Sequence, residues 1–236
     1  MASKALARDS LIGAAPTQKR SRRIVDLSQP SAEPFRGLRL ALELRGDARR
    51  GNIVAFTSAH SQEGKSTIAI NYALVAALNQ QRVLLVDADL RHPVLHESFG
   101  ISRSPGLVDV LGASDKLADA VHRVQLFEHL ELLTAGQPVP GIGDLMSSKL
   151  MSDFLDFAAG SYDVVVMDTP PVLAISDAAS VASREDVDVA LVVDRKSRRR
   201  TLMRALRELD LVGANVVGLV LNREGSLARY GYGYLA

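Results

Sequence analysis

The chain has no cysteine among its 236 residues. Disulfides and thiolate-held metals are therefore excluded, and the composition fits a reducing cytoplasm. An excess of either charge is also missing. Lys and Arg number 28 against 27 Asp and Glu, a formal net charge of +1, which argues against a whole-protein nucleic-acid footprint. No uninterrupted apolar stretch approaches the roughly 20 residues that cross a bilayer. The N-terminus shows neither an apolar signal core nor a cleavage-site pattern. The expectation is a chain soluble by itself, whose membrane association comes through a partner or surface charge. Tyrosine is scarce, five in all, yet Tyr230, Tyr232 and Tyr234 fall within the last seven positions.

What is present suffices for a core: 47% of the residues are hydrophobic, and one domain is the natural reading of this length. An apolar run, Ile53 to Phe56, leads into Ser61-Gln62-Glu63-Gly64-Lys65-Ser66-Thr67, and an amphipathic run from Ile68 to Leu78 follows. That order reads as strand, phosphate loop, helix. Backbone N–H groups near Gly64 can wrap an anionic phosphate, and the helix N-terminus adds partial positive charge. Lys65 brings a full charge to the β- and γ-phosphates, and the Ser66 hydroxyl is placed to ligate Mg²⁺. The usual pattern opens with Gly where this chain has Ala59.

Further strands are expected at Arg82–Asp87, Leu130–Thr134, Asp163–Asp168, Val187–Asp194 and Asn215–Asn222, after a first at Ile53–Ser58. Helices are expected at Lys65–Asn79, Gly106–Leu111, Gly143–Ala159, Ile175–Ala182 and Arg198–Leu211, with a short one within Ala32–Leu44. Several strands are near-continuous Val, Leu and Ile runs, which belong to parallel strands covered on both faces. The alternation predicts an α/β fold, a doubly wound, mostly parallel sheet flanked by helices. Residues 1–30, basic and without apolar period, read as a flexible arm. Residues 31–225 form the domain, and 226–236 a flexible tyrosine-rich tail.

Ligands of such sheets sit beyond the carboxyl ends of the strands. Two predicted strands end there in aspartate, one in Asp87-Ala88-Asp89-Leu90-Arg91 and the other in Asp168-Thr169-Pro170-Pro171. Aspartates so placed hold Mg²⁺ directly or through water. Asp87 and Asp89, two apart, share a side in extended backbone, so one can bind metal while the other acts as a base. Arg91 is read as pairing with a phosphate or fixing the carboxylates. The five histidines show no metal-ligand spacing, and the basic run Arg195 to Arg200 is read as a solvated patch or a guide for anions.

Asp87–Arg91 together with Asp168–Pro171 resembles the bacterial tyrosine kinases of polysaccharide biosynthesis. The resemblance runs from Glu33 to Ala236 and includes Glu33-Pro34-Phe35-Arg36-Gly37-Leu38-Arg39, Gly106–Gly112, Thr134-Ala135-Gly136 and Val220-Leu221-Asn222-Arg223. It implies a P-loop NTPase fold of the partitioning-ATPase-like type. It also implies ATP and Mg²⁺ held by Ser61, Gln62, Glu63, Gly64, Lys65, Ser66 and Thr67, with Asp87, Asp89, Arg91 and Asp168 beside them and Asn222 at the adenine. Glu33, Arg36 and Arg39 would stabilise a homo-oligomeric ring. Tyr230, Tyr232 and Tyr234 would be the phosphoacceptors, and other protein-tyrosine substrates are possible in such a family.

The implied partner is a transmembrane polysaccharide co-polymerase or activator, which would keep the chain cytoplasmic and peripheral to the inner face of the membrane. Met1 favours a standalone kinase over a piece of a longer protein. The family shows Pro, then Gly or Glu, where Ser61 and Gln62 stand, and His60 lies near the signature lysine of partitioning and site-selection ATPases. The rivals are a partitioning-type switch ATPase and a nucleotide-binding scaffold without turnover.

Overall fold

Runs of Val, Leu and Ile without polar alternation become strands covered on both faces. The computed structural model describes residues 24–45, 52–112, 117–125 and 127–223. After a 3-10 turn at Pro30–Ala32 come α1 (Glu33–Arg45), β1 (Ile53–Ser58), α2 (Lys65–Leu78), β2 (Val83–Asp87), α3 (Leu95–Phe99), α4 (Leu107–Leu111), α5 (Leu117–Ala120) and β3 (Val121–Arg123). Then follow β4 (Leu130–Leu133), α6 (Ile142–Met146), α7 (Lys149–Ser161), β5 (Val164–Asp168), α8 (Asp177–Ala182), β6 (Val187–Asp194), α9 (Arg199–Leu211) and β7 (Asn215–Asn222).

The strands form one sheet in the order β3-β4-β2-β5-β1-β6-β7, parallel throughout except for β3 against β4. Every residue of β1, β2 and β5 is buried. On one face Phe56, Leu85, Leu132 and Val166 pack against Ile70 and Leu74 of α2, with Phe35 and Leu42 of α1 in the same cluster. On the other, Ile53, Leu84, Val165 and Leu191 meet Leu107, Phe154, Leu155 and Leu209. α2 is thus sandwiched between sheet and α1, which explains its nearly all-round burial. The register of β2 on β5 sets Asp87 directly opposite Asp168 at the carboxyl end of the sheet.

Three expectations are corrected. The continuous helix over Gly143–Ala159 is two helices, broken where Ser148 caps α7 by accepting from Met151 N at 3.3 Å. β3, α3 and α5 were not foreseen, being too short to carry a period. The arm expected over 1–30 is seated from Ile24 onward: Ile24, Val25 and Leu27 pack on the α2 side, and Val25 N donates to Asn71 Oδ1 at 2.9 Å. Residues 1–23 and the tail with Tyr230, Tyr232 and Tyr234 lie outside the described residues. Among the described residues no helix is long and apolar enough to cross a membrane.

Candidate active site

The loop after β1 turns on two left-handed residues, Gln62 (φ 67°) and Gly64 (φ 97°), a geometry that points successive N–H groups inward at an anion. A Cβ on Gly64 would stand 2.0 Å from Asn222 Nδ2, so only glycine fits. Lys65 opens α2, and its Nζ lies 2.9 Å from Asp89 Oδ2 and 3.3 Å from Asp168 Oδ1. Ser66 Oγ is 3.4 Å from the same ammonium. Lys65, Asp87, Asp89 and Asp168 are all buried, so the cluster is one cation among three carboxylates in a dry wall.

Electrostatics follow from that count. Burial works against the Lys65 charge, yet Asp168 and then Asp89 outweigh it and raise its pKa. Asp87 is pushed up to about 8, first by burial and then by the Asp168 charge, although its Oδ2 accepts from Val94 N and Leu95 N at 2.9 Å each. Burial also raises Asp168, against the pull of Lys65 and a hydrogen bond from Ser66. Two carboxylate oxygens in this wall, Asp87 Oδ1 and Asp168 Oδ2, are buried without a hydrogen-bond partner among the described residues, a costly arrangement that invites a ligand.

A magnesium nucleotide fits these residues. The orphaned oxygens, the Ser66 hydroxyl and the Gly64 cradle supply the acceptors and donors it needs. No trio of His, Asp or Glu converges as a closed cation cage among the described residues, which suits Mg²⁺, a metal usually held by one or two carboxylates with phosphate and water.

The loop is tied down by contacts that sequence reading missed. Glu63 is buried, and its carboxylate accepts from His60 N at 3.0 Å and from the Ser197 hydroxyl across the sheet end. Asn222 Nδ2 donates to the Glu63 carbonyl at 2.9 Å. Arg223 donates to the Gln62 carbonyl at 3.0 Å while pairing with Asp194 at 2.5 Å. Their only signal in the sequence was polar residues at the carboxyl ends of β6 and β7. Ser61 and Gln62 have exposed side chains, and Thr67 accepts from Asn71 through its carbonyl at 2.7 Å.

Other expected residues stand elsewhere. Among the described residues Arg91 forms no ion pair with the three carboxylates; its Nε pairs with the buried Asp177 at 3.1 Å, at the start of α8. Glu33, Arg36 and Arg39 lie on α1. Arg36 bonds Glu33 and the Leu27 carbonyl, each at 2.9 Å, and Arg39 pairs with Glu43 at 2.5 Å.

A family model described as an AAA domain matches residues 51–205. Tyrosine-protein kinase YwqD of Bacillus subtilis (strain 168) is 33% identical over 216 residues, covering 90% of this chain and 91% of the relative. The chain belongs to the bacterial tyrosine-protein kinase family. Tyrosine-protein kinase etk of Escherichia coli (strain K12) is 32% identical over 206 residues, 86% of this kinase but 28% of that longer relative. The solved kinase domain of Escherichia coli tyrosine kinase ETK superposes with a TM-score of 0.76 at 31% identity, covering 86% of this chain and 80% of that one. The MinD cell division protein of Aquifex aeolicus, 20% identical with a TM-score of 0.57 over 74% of this chain and 70% of its own, shares the fold alone.

Proposed function

We propose that this kinase is an ATP- and Mg²⁺-dependent autokinase that phosphorylates Tyr230, Tyr232 and Tyr234 of a neighbouring subunit within a ring-shaped homo-oligomer. The observation that carries this reading is the Lys65 ammonium packed between Asp89 and Asp168, with Asp87 Oδ1 and Asp168 Oδ2 left unpartnered beside it. When bound, Mg·ATP supplies the phosphoryl group and a leaving ADP. The chain's own residues orient it: loop N–H groups and Lys65 hold the phosphates, and Ser66, Asp87, Asp89 and Asp168 take metal or its waters.

A tyrosine hydroxyl must lose its proton as its oxygen bonds to phosphorus. Only an ionised carboxylate can take that proton; Asp87, at the end of β2, or Asp89, two residues on, is the proposed base, and Asp87, which burial raises, would serve once a bound cation has ionised it. Glu33, Arg36 and Arg39 would hold subunits together by exchanging their present partners within the chain for ones across a subunit boundary. Asn222, now on the Glu63 carbonyl, would border the nucleotide. A transmembrane co-polymerase is the proposed activator, and capsular or exopolysaccharide polymerisation and export the proposed process; both rest on the sequence resemblance.

The test is incubation of the purified chain with Mg·ATP, with and without a candidate activator, and mapping of phosphate by mass spectrometry. Phosphate on the three tyrosines, absent in Lys65→Met and in the triple Tyr→Phe variant, is the expected result. ADP release without tyrosine phosphate would instead fit a switch ATPase, and nucleotide binding with neither would fit a scaffold.

A further inference from the structure

α9 carries far more charge than its packing requires. Ala205 and Leu209 are buried against the sheet, whereas Arg200, Arg204 and Arg207 recur at helical spacing on the exposed face with Met203, 42% exposed, between them. With Arg199 these residues line a shallow depression of about 560 Å³. The segment leading into the helix adds exposed Arg195, Lys196 and Arg198. Over residues 195–211 seven cations stand against two acids, Glu208 and Asp210. None of the seven forms an ion pair among the described residues. Five of them precede or open the helix, the end whose dipole disfavours cations. So many exposed cations of one sign make a surface that attracts anions.

The path of the chain brings one near. Arg195 N donates to the Asn222 carbonyl at 3.3 Å, and Arg223 pairs with Asp194, so Arg223, the last described residue, lies beside this segment. Tyr230 is seven positions beyond Arg223, at most about 25 Å of extended chain, while α9 is about 20 Å long. Glu224 and Arg229 cancel, so the unmodified segment brings no net side-chain charge. Each phosphotyrosine would add about −1.5 to −2, and Arg guanidinium groups bind phosphate oxygens in pairs.

We propose that the cationic face of α9 and its lead-in is the docking surface for the phosphorylated 224–236 segment of the same subunit. The inference rests on the reading that Tyr230, Tyr232 and Tyr234 accept phosphate. Transfer then creates its own retrieval signal: the product tail is drawn from the neighbour's active site to its own subunit's arginines, and the carboxylate-lined site is left open.

The experiment titrates a synthetic 224–236 peptide, phosphorylated on all three tyrosines and fluorescently labelled, into the full-length chain carrying Tyr230→Phe, Tyr232→Phe and Tyr234→Phe. Because the peptide is made chemically, binding is measurable whether or not the chain phosphorylates itself, and Mg·ATP labelling of the unaltered chain tests that reading separately. The phosphopeptide should bind at least about tenfold tighter than its unphosphorylated form, and more weakly at 300 mM than at 50 mM salt, as the screening length shrinks. Adding Arg200→Gln, Arg204→Gln and Arg207→Gln, exposed positions outside the nucleotide site, should cost roughly tenfold, the sum of several exposed charge pairs. Equal affinity for the two peptides, or affinity unchanged by the arginine substitutions, overturns the proposal. So does arginine-dependent binding to phosphatidylserine vesicles with no phosphopeptide binding, which would assign the face to lipid headgroups.

Discussion

Lys65 Nζ lies 2.9 Å from Asp89 Oδ2, and this contact draws the loop after β2 against the first residue of α2. Asp168 completes the charge balance from β5 at 3.3 Å. Lys65→Met removes the cation that pairs with both carboxylates. Phosphoryl transfer should fall by about two to three orders of magnitude, as for loss of one preorganised electrostatic group. The folded state should lose about 3 kcal/mol at pH 8, because breaking a buried pair strands its carboxylates. The loss should shrink as pH is lowered, because burial raises the pKa of Asp168 and a proton can then replace the ammonium. Denaturant melts over a series of pH values check this.

Asp87 sets a second pH dependence. Its folded pKa, about 8, lies above the unfolded value of 3.8, so across that window the folded state holds a proton that the unfolded state releases. The stabilisation is complete below the unfolded pKa and is lost as pH rises through about 8. Asp87→Asn keeps an acceptor for Val94 N and Leu95 N and needs no proton. It should flatten the slope of stability between pH 5 and 8 and raise Tm at pH 8 by about 5 °C, on the order of 2 kcal/mol for a domain of this size. Transfer activity should be lost in the same variant. A Tm series against pH separates the two effects.

Gly64 and Asn222 form a testable pair. Gly64→Ala places a methyl 2.0 Å from Asn222 Nδ2 at a φ of 97°, and nucleotide affinity should fall by about tenfold or more. Asn222→Ala removes the bond to the Glu63 carbonyl at a cost of about 1 kcal/mol. The double variant should regain part of the affinity lost in Gly64→Ala, since the clash is gone and only left-handed strain, roughly 1–2 kcal/mol, remains. A double-mutant cycle in Mg·ADP binding reads the coupling.

Six strands were legible within one residue at either end: the five inner ones are buried and written as Val-, Leu- and Ile-rich runs, and β7, a partly exposed edge strand, still carries such a run over residues 216–221. Val121-His122-Arg123 was not, since three residues of an edge strand leave no such run. The break at Ser147-Ser148 hid inside an apolar helical pattern that continues on both sides, although Ser148 was a cap signal in plain view. In the site, Lys65, Asp87 and Asp168 were readable from local motifs. Their ties to the rest of the chain were not. Glu63 and Ser197 are 134 positions apart, and Arg91 and Asp177 are 86 apart; only the strand order brings them together.

Arg91 shows the consequence. Its guanidinium serves Asp177, whose Oδ1 is buried without a partner. Arg91→Gln should therefore cost about 1 kcal/mol of stability, modest because the arginine is 43% exposed. Mg·ADP affinity should change less than about twofold, whereas a direct phosphate contact would cost about tenfold or more. Isothermal titration distinguishes these outcomes.

The most direct test of the kinase account mixes two variants, neither of which can label its own tail. Chains carrying Lys65→Met but an intact tail are incubated in Mg·ATP with chains carrying Tyr230→Phe, Tyr232→Phe and Tyr234→Phe but an intact site, and the tails are mapped by mass spectrometry. The account predicts phosphate on the Lys65→Met chains, at a rate rising with the concentration of the other. No phosphate on those tails, under conditions where the unaltered chain labels its own, would contradict transfer between subunits.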